Sequence, residues 1–164
     1  IESSESKDLI DIRNIMKQQI DSFKKIGRVF TNKDCNIEYQ PDENMPLVRV
    51  VYHDFALCID FLILFLYQKS ALSGTYSKIA ITSKIENEVI HLDFTTNGPS
   101  IFQYDHIVIN ASTGISLSKV PERDMRGLFG LYYAVLPLKK NDASIVVHSE
   151  SGNNKISLLI PVIR

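Results

Sequence analysis

In Thr95-Thr96-Asn97-Gly98-Pro99-Ser100-Ile101 the end of a strand runs straight into a turn, and the rest of the chain is organised around it. It continues the alternating run Val89-Ile90-His91-Leu92-Asp93-Phe94, and Asn97-Gly98-Pro99 is a strong cluster of breakers. A strand that runs straight into such a turn leaves backbone N–H groups and short polar side chains at the mouth of a fold. A ligand could sit there.

Working back from this stretch, Lys78 to Ile85 alternates in the same way, so a turn at Glu86-Asn87 makes the two runs an antiparallel hairpin. Before it, Asp54 is a plausible N-cap for a helix from Phe55 to about Leu72 that is apolar on almost every side, as expected of a buried helix with a sheet on one side and another element on the other. Leu47 to Tyr52 and Asn36 to Gln40 read as short strands beside a Pro-bounded loop. Residues 1–7 are polar and expected to fray. From Asp8, apolar residues recur every three or four positions (Leu9, Ile12, Ile15, Met16, Ile20, Phe23, Ile26, Val29), which predicts an amphipathic helix of about six turns. A stripe that long needs a partner, so self-association or a missing upstream helix is expected.

Working forward, Phe102 to Arg126 reads as an irregular connection, long enough to be a lid or binding loop. Gly127-Leu128-Phe129-Gly130-Leu131 is expected to open a short helix that ends or kinks at Pro137. Ile145 to Ser149, a turn over 150–154, and Lys155 to Ile163 make a second hairpin. The order of elements predicts an α+β two-layer sandwich, a mixed sheet with helices on one face.

Composition narrows the function. The chain has 164 residues, 45% of them hydrophobic and 23% charged, with a net charge of −1, so a dedicated nucleic-acid surface is not expected. Cys35 and Cys58 form no CxxC pair, which argues against zinc and for a reducing cytoplasm. Ala56 to Leu66 is too short, and Asp60 too polar, for a membrane span of about 20 residues. The chain begins at Ile1, without Met, and is read as a fragment of something longer.

With these junctions in place, residues 35–163 resemble the ATP-binding (Bergerat, or GHKL) domain of sensor histidine kinases. In that family an apolar helix carries two asparagines four apart, a strand ends in an Asp-x-Gly-x-Gly turn, a mobile lid follows, and a Gly-x-Gly-Leu turn opens the next helix before a final hairpin. Asp54 to Ser70 looks like the first helix, Phe94 to Ile101 like the strand and turn, Gly127 to Leu131 like the second glycine turn, and Ile145 to Val162 like the hairpin. The resemblance implies a Bergerat-type two-layer sandwich over 31–164. It also implies an N-terminal helix over 1–30, like the second helix of a dimerisation hairpin.

The same resemblance shows altered chemistry. Its paired asparagines fall on Leu64 and Gln68, and Leu64 cannot hold Mg²⁺. Its adenine-binding aspartate falls on Thr96, which lacks the charge that strengthens such a bond. The glycines of the first turn read Gly98 and Ser100; in the second, Gly130 is kept and Leu128 replaces its companion. Residues 8–29 contain no phosphoacceptor histidine.

The expectation is therefore a non-catalytic, cytoplasmic, pseudokinase-like module of two-component or phosphorelay signalling, without ATP, Mg²⁺ or another metal. Its expected partners are a response regulator or a partner histidine kinase, with a homodimer through residues 8–29 and no membrane contact. The alternative is a divergent active kinase holding ATP through a degenerate nucleotide site of Gln68, Thr96, Asn97, Gly98 and Gly130. His91 and His148 read as ordinary strand residues, while His106 falls in the expected lid. Arg123, Asp124 and Arg126 read as solvated loop charges.

Overall fold

A computed structural model describes residues 8–31, 36–72, 78–97, 99–102, 106–116, 122–150 and 152–162. The elements run β1 (Asp8–Ile10), α1 (Ile12–Thr31), β2 (Asn36–Gln40), β3 (Val48–Val50), α2 (Tyr52–Leu72), β4 (Lys78–Glu86) and β5 (Val89–Thr96). They continue with β6 (His106–Asn110), β7 (Gly114–Ile115), α3 (Glu122–Val135), a 3-10 helix (Leu136–Asn141), β8 (Ser144–Glu150) and β9 (Asn153–Pro161).

Seven strands form one sheet in the order β2-β4-β5-β9-β8-β6-β7. Only the β2–β4 pair is parallel, so the sheet is mixed as expected. Period-two alternation decides which side chains face the helices. Ile79, Ile81, Leu92, Phe94, Ile156, Leu158, Val147, Ile145, Ile107 and Ile109 are all buried and share the core with α2 and α3. The fold is α+β, and both expected hairpins are present. The first turns at Asn87 and Glu88, both at positive φ, one residue later than expected; the second turns with Gly152 at φ 86°.

Several expectations are corrected. Residues 8–10 are not helical: they pair antiparallel with β3, and the helix begins at Ile12. The apolar stripe of α1 finds its partner inside the chain. Ile12, Ile15, Met16 and Ile20 are buried, α1 packs on α2, and Phe23 meets Tyr67 edge-on at 5.5 Å. Gln19 Nε2 donates to Asp60 Oδ1 at 2.6 Å across the same contact, so the one acidic interruption of the apolar run over 56–66 is answered from α1. Helix α2 starts at Tyr52, which leaves Asp54 in its first turn, where a carboxylate suits the positive end of the helix dipole. Nor is α2 buried on all sides, since Leu57 and Leu64 are exposed.

The largest departure lies in the segment read as an irregular lid. Residues 106–110 form β6, which adds to the edge of β8, and Gly114–Ile115 turns back on it as β7. Helix α3 then begins at Glu122, so Gly127 and Gly130 lie inside the helix and do not open it. The apolar positions Ile107 and Ile109 alternate correctly for a strand, but five residues are too short a run to be separated from a loop by periodicity alone.

Candidate functional site

The end of β5, residues 99–102 beyond it, α2 and α3 close on one another, so that the cleft expected at the strand end is filled by side chains. Three inward polar residues lie side by side at the sheet end: Thr96 on β5 pairs with Asn154 on β9, and Asn154 pairs with Ser149 on β8. All three are buried. Ser149 Oγ donates to Asn154 Oδ1 at 2.9 Å and accepts from the backbone N–H groups of Ile101 and Phe102 at 2.8 and 3.0 Å. Asn154 Oδ1 also accepts from Ile101 N–H at 3.1 Å, and its Nδ2 donates to the Pro99 carbonyl at 3.0 Å. Backbone groups that a turn would otherwise offer to a ligand are thus satisfied by the sheet itself.

This clamp carries Phe102 inward. Its ring is 2% exposed and stacks on Phe65 of α2, centroids 6.0 Å apart, while Phe65 stacks on Phe61 at 6.2 Å. From the other side Gly127 of α3 approaches so closely that an added Cβ would stand 3.0 Å from a Phe102 ring carbon. Gly130 does the same against Phe61, also at 3.0 Å. The two glycines therefore let α2 and α3 approach around an aromatic stack, which is a packing role. Leu128 between them is fully buried.

Each residue singled out from the sequence can now be placed. Thr96 is buried and its hydroxyl donates to the Asn97 carbonyl at 3.2 Å. Asn97 is exposed beyond the strand end, Gln68 is exposed on the last turns of α2, and Gly98 lies outside the described residues. Gly130 packs on Phe61, on α3. The structure brings Thr96 to the clamp but does not gather Gln68 or Gly130 there. Leu64 points outward, 43% exposed. The carboxylate on β5, Asp93, sits on the opposite sheet face and accepts from Ser157 Oγ at 2.6 Å. Asp124, read as a solvated loop charge, is instead buried in the first turn of α3, 3.6 Å from the exposed Arg123.

Sequence reasoning missed Ser149, Asn154 and Phe102. A signal for the first two was present: both fall on the inward phase of strands otherwise filled by Val and Ile, and a polar residue on a core phase marks a bonded group.

Outside the cleft, Met125, Phe129 and Tyr133 stand 41%, 47% and 67% exposed at four-residue spacing along α3. With Glu122, Arg126 and Gly130 they line an open, mainly apolar groove. Two other ionisable groups are occupied structurally. Burial pushes the Cys58 thiol up to about 12, leaving it protonated and unreactive, and burial raises the Asp60 carboxyl against the lowering effect of its Gln19 hydrogen bond.

Solved histidine kinases share this architecture. The histidine kinase AdeS of Acinetobacter baumannii superposes with a TM-score of 0.63 at 12% identity, covering 96% of this chain and 68% of that one. The catalytic domain of the histidine kinase ThkA gives a TM-score of 0.66 at 13% identity, over 95% of this chain and 97% of that one. The fold is that of a histidine kinase ATP-binding catalytic domain. No protein-family model matches the sequence, and no curated protein does. Among the described residues no helix is long and apolar enough to cross a membrane.

Proposed function

We propose that this chain is a non-catalytic histidine-kinase-like domain that serves as a protein-interaction module in two-component or phosphorelay signalling. The filled cleft carries the reading: Phe102, clamped by Ser149 and Asn154, stacks between α2 and α3 beside the strand end. The described residues do not fit a nucleotide. Thr96 offers no carboxylate and spends its proton on the Asn97 carbonyl; Leu64 is a hydrocarbon directed to solvent where the likeness to histidine kinases calls for a metal ligand. Phosphoryl transfer from ATP requires a metal and aligned phosphates, and no step of that kind is assigned to these residues.

The exposed apolar face of α3 supports the interaction role, because Met125, Phe129 and Tyr133 leave hydrocarbon in water without a partner among the described residues. A response regulator or a partner kinase is the class of protein that a histidine-kinase fold would meet in such a pathway.

The test is a titration with Mg-ATP followed by melting temperature. A ligand of the folded state raises it by mass action, so no rise is expected up to millimolar nucleotide. A clear rise, lost in Thr96→Val or Gln68→Leu, would replace this reading with that of a divergent active kinase.

A further inference from the structure

We propose that His106 and His148 form a two-histidine site for Zn²⁺ that fastens β6 to the edge of the main sheet. The two residues are direct partners in the antiparallel register of β6 and β8. Both are exposed, on the sheet face opposite the helices, since Ile107 and Val147 beside them point into the core. Their Nδ1 atoms face one another at 3.5 Å, with ring centroids 4.8 Å apart.

Facing imidazole nitrogens at this distance can be joined in two ways. One can donate a proton to the other, or both lone pairs can turn to a single cation. The separation suits the second arrangement. With Zn–N bonds of about 2.0–2.1 Å, nitrogens 3.5 Å apart subtend roughly 113–122° at the metal, somewhat wider than the tetrahedral angle. An octahedral ion, which wants about 90°, would require the nitrogens to close by more than half an ångström. The separation suits tetrahedral Zn²⁺ without rearrangement, although Ni²⁺ and Cu²⁺ stand higher in intrinsic affinity for nitrogen ligands.

No cluster of three or more His, Cys, Asp or Glu among the described residues is arranged to hold a metal. Among the described residues the two histidines are the ligands. Two charged residues share this edge. Lys155 on β9 is the register partner of His148 and opposes a cation; Glu150 lies two positions along the same face of β8 and favours one. The resulting site is modest in affinity and readily reversible.

The consequence is mechanical. β6 is a short strand attached through β8 to a sheet otherwise complete without it, and β7 adds only two residues beyond it. A metal gripped by both histidines links β6 to β8 through side chains as well as through the backbone ladder. It stabilises the folded chain because the unfolded chain does not hold the pair together.

The test uses Zn²⁺ alone, titrated into the whole chain by calorimetry, with melting temperature and amide exchange of β6 read alongside. Expected are one zinc per chain, a raised melting temperature, slower exchange in β6, and perturbed Nδ1 resonances of both histidines in nitrogen-resolved spectra. His106→Phe and His148→Phe keep a planar ring and strand propensity while removing the ligand; each should weaken binding tenfold or more and abolish the melting shift. His53→Ala and His91→Ala should bind as the parent does. Absence of binding at zinc concentrations on the order of 1 mM, or stoichiometric binding that survives both phenylalanine variants, would overturn the proposal.

Discussion

The cleft at the end of β5 and the outward face of α3 lie on either side of the same helix and carry opposite surfaces. In the cleft, side chains that could be polar or absent are instead Phe61, Phe65 and Phe102 in a continuous stack. On the outward face, positions that water would favour as polar carry Met125, Phe129 and Tyr133. Room for another molecule lies on the outward face of α3 and not at the end of β5. A ligand entering the cleft must displace a buried aromatic ring and break the Ser149–Asn154 clamp; one approaching α3 displaces no side chain among the described residues.

Phe102→Ala should break this contrast most severely. Removing a buried phenylalanine costs about 3–5 kcal/mol, and the melting temperature should drop accordingly. The same variant sharpens the reading of the cleft. If filling were the sole obstacle to nucleotide, Mg-ATP would now raise the melting temperature of the variant; no rise is expected, since Thr96 still lacks a carboxylate and Leu64 still cannot bind a metal.

Asn154→Ala should cost less, about 2 kcal/mol, by leaving the Pro99 carbonyl without its donor and the Ser149 hydroxyl proton without its acceptor. Its signature should be local: faster amide exchange at Ile101 and Phe102 before any change in the strands.

At the small end, Phe129→Ser paired with Tyr133→Ser should leave stability within about 0.5 kcal/mol, as expected for exposed positions. If α3 is a docking face, the same pair should weaken capture of an isolated response-regulator receiver domain at least tenfold. An unchanged affinity would move the docking surface elsewhere.

Much of the scaffold was legible because its signals are local. The alternation in Lys78–Glu86 and Val89–Thr96 and in the closing hairpin names the inward residues correctly, since a strand buried on one face must repeat every second position. The stripe of α1 was equally plain, but its partner was not. Helix α2 looked evenly apolar, so nothing in its own sequence announced which side would receive α1. The glycines of α3 misled for a related reason. Gly127 and Gly130 suggest a turn by composition, whereas here they are the absent side chains that admit Phe102 and Phe61.

The candidate site was legible only in outline. Thr96 was placed correctly at the end of a strand beside a cleft, yet its neighbours Ser149 and Asn154 arrive from a hairpin more than 50 residues downstream.

β1, β6 and β7 were not legible in the sequence; what it alone determined is the two long hairpins, the helices α1 and α2 with a further helix before the closing hairpin, and the inward phase of the long strands. These are properties of single residues or of short periods along the chain. Only the tertiary structure decided that Phe102 closes the cleft, that α2 completes α1, and that His106 meets His148 at a sequence separation of 42. Register and packing bring such groups together, and both depend on what the whole core excludes from water; no short stretch of sequence contains them.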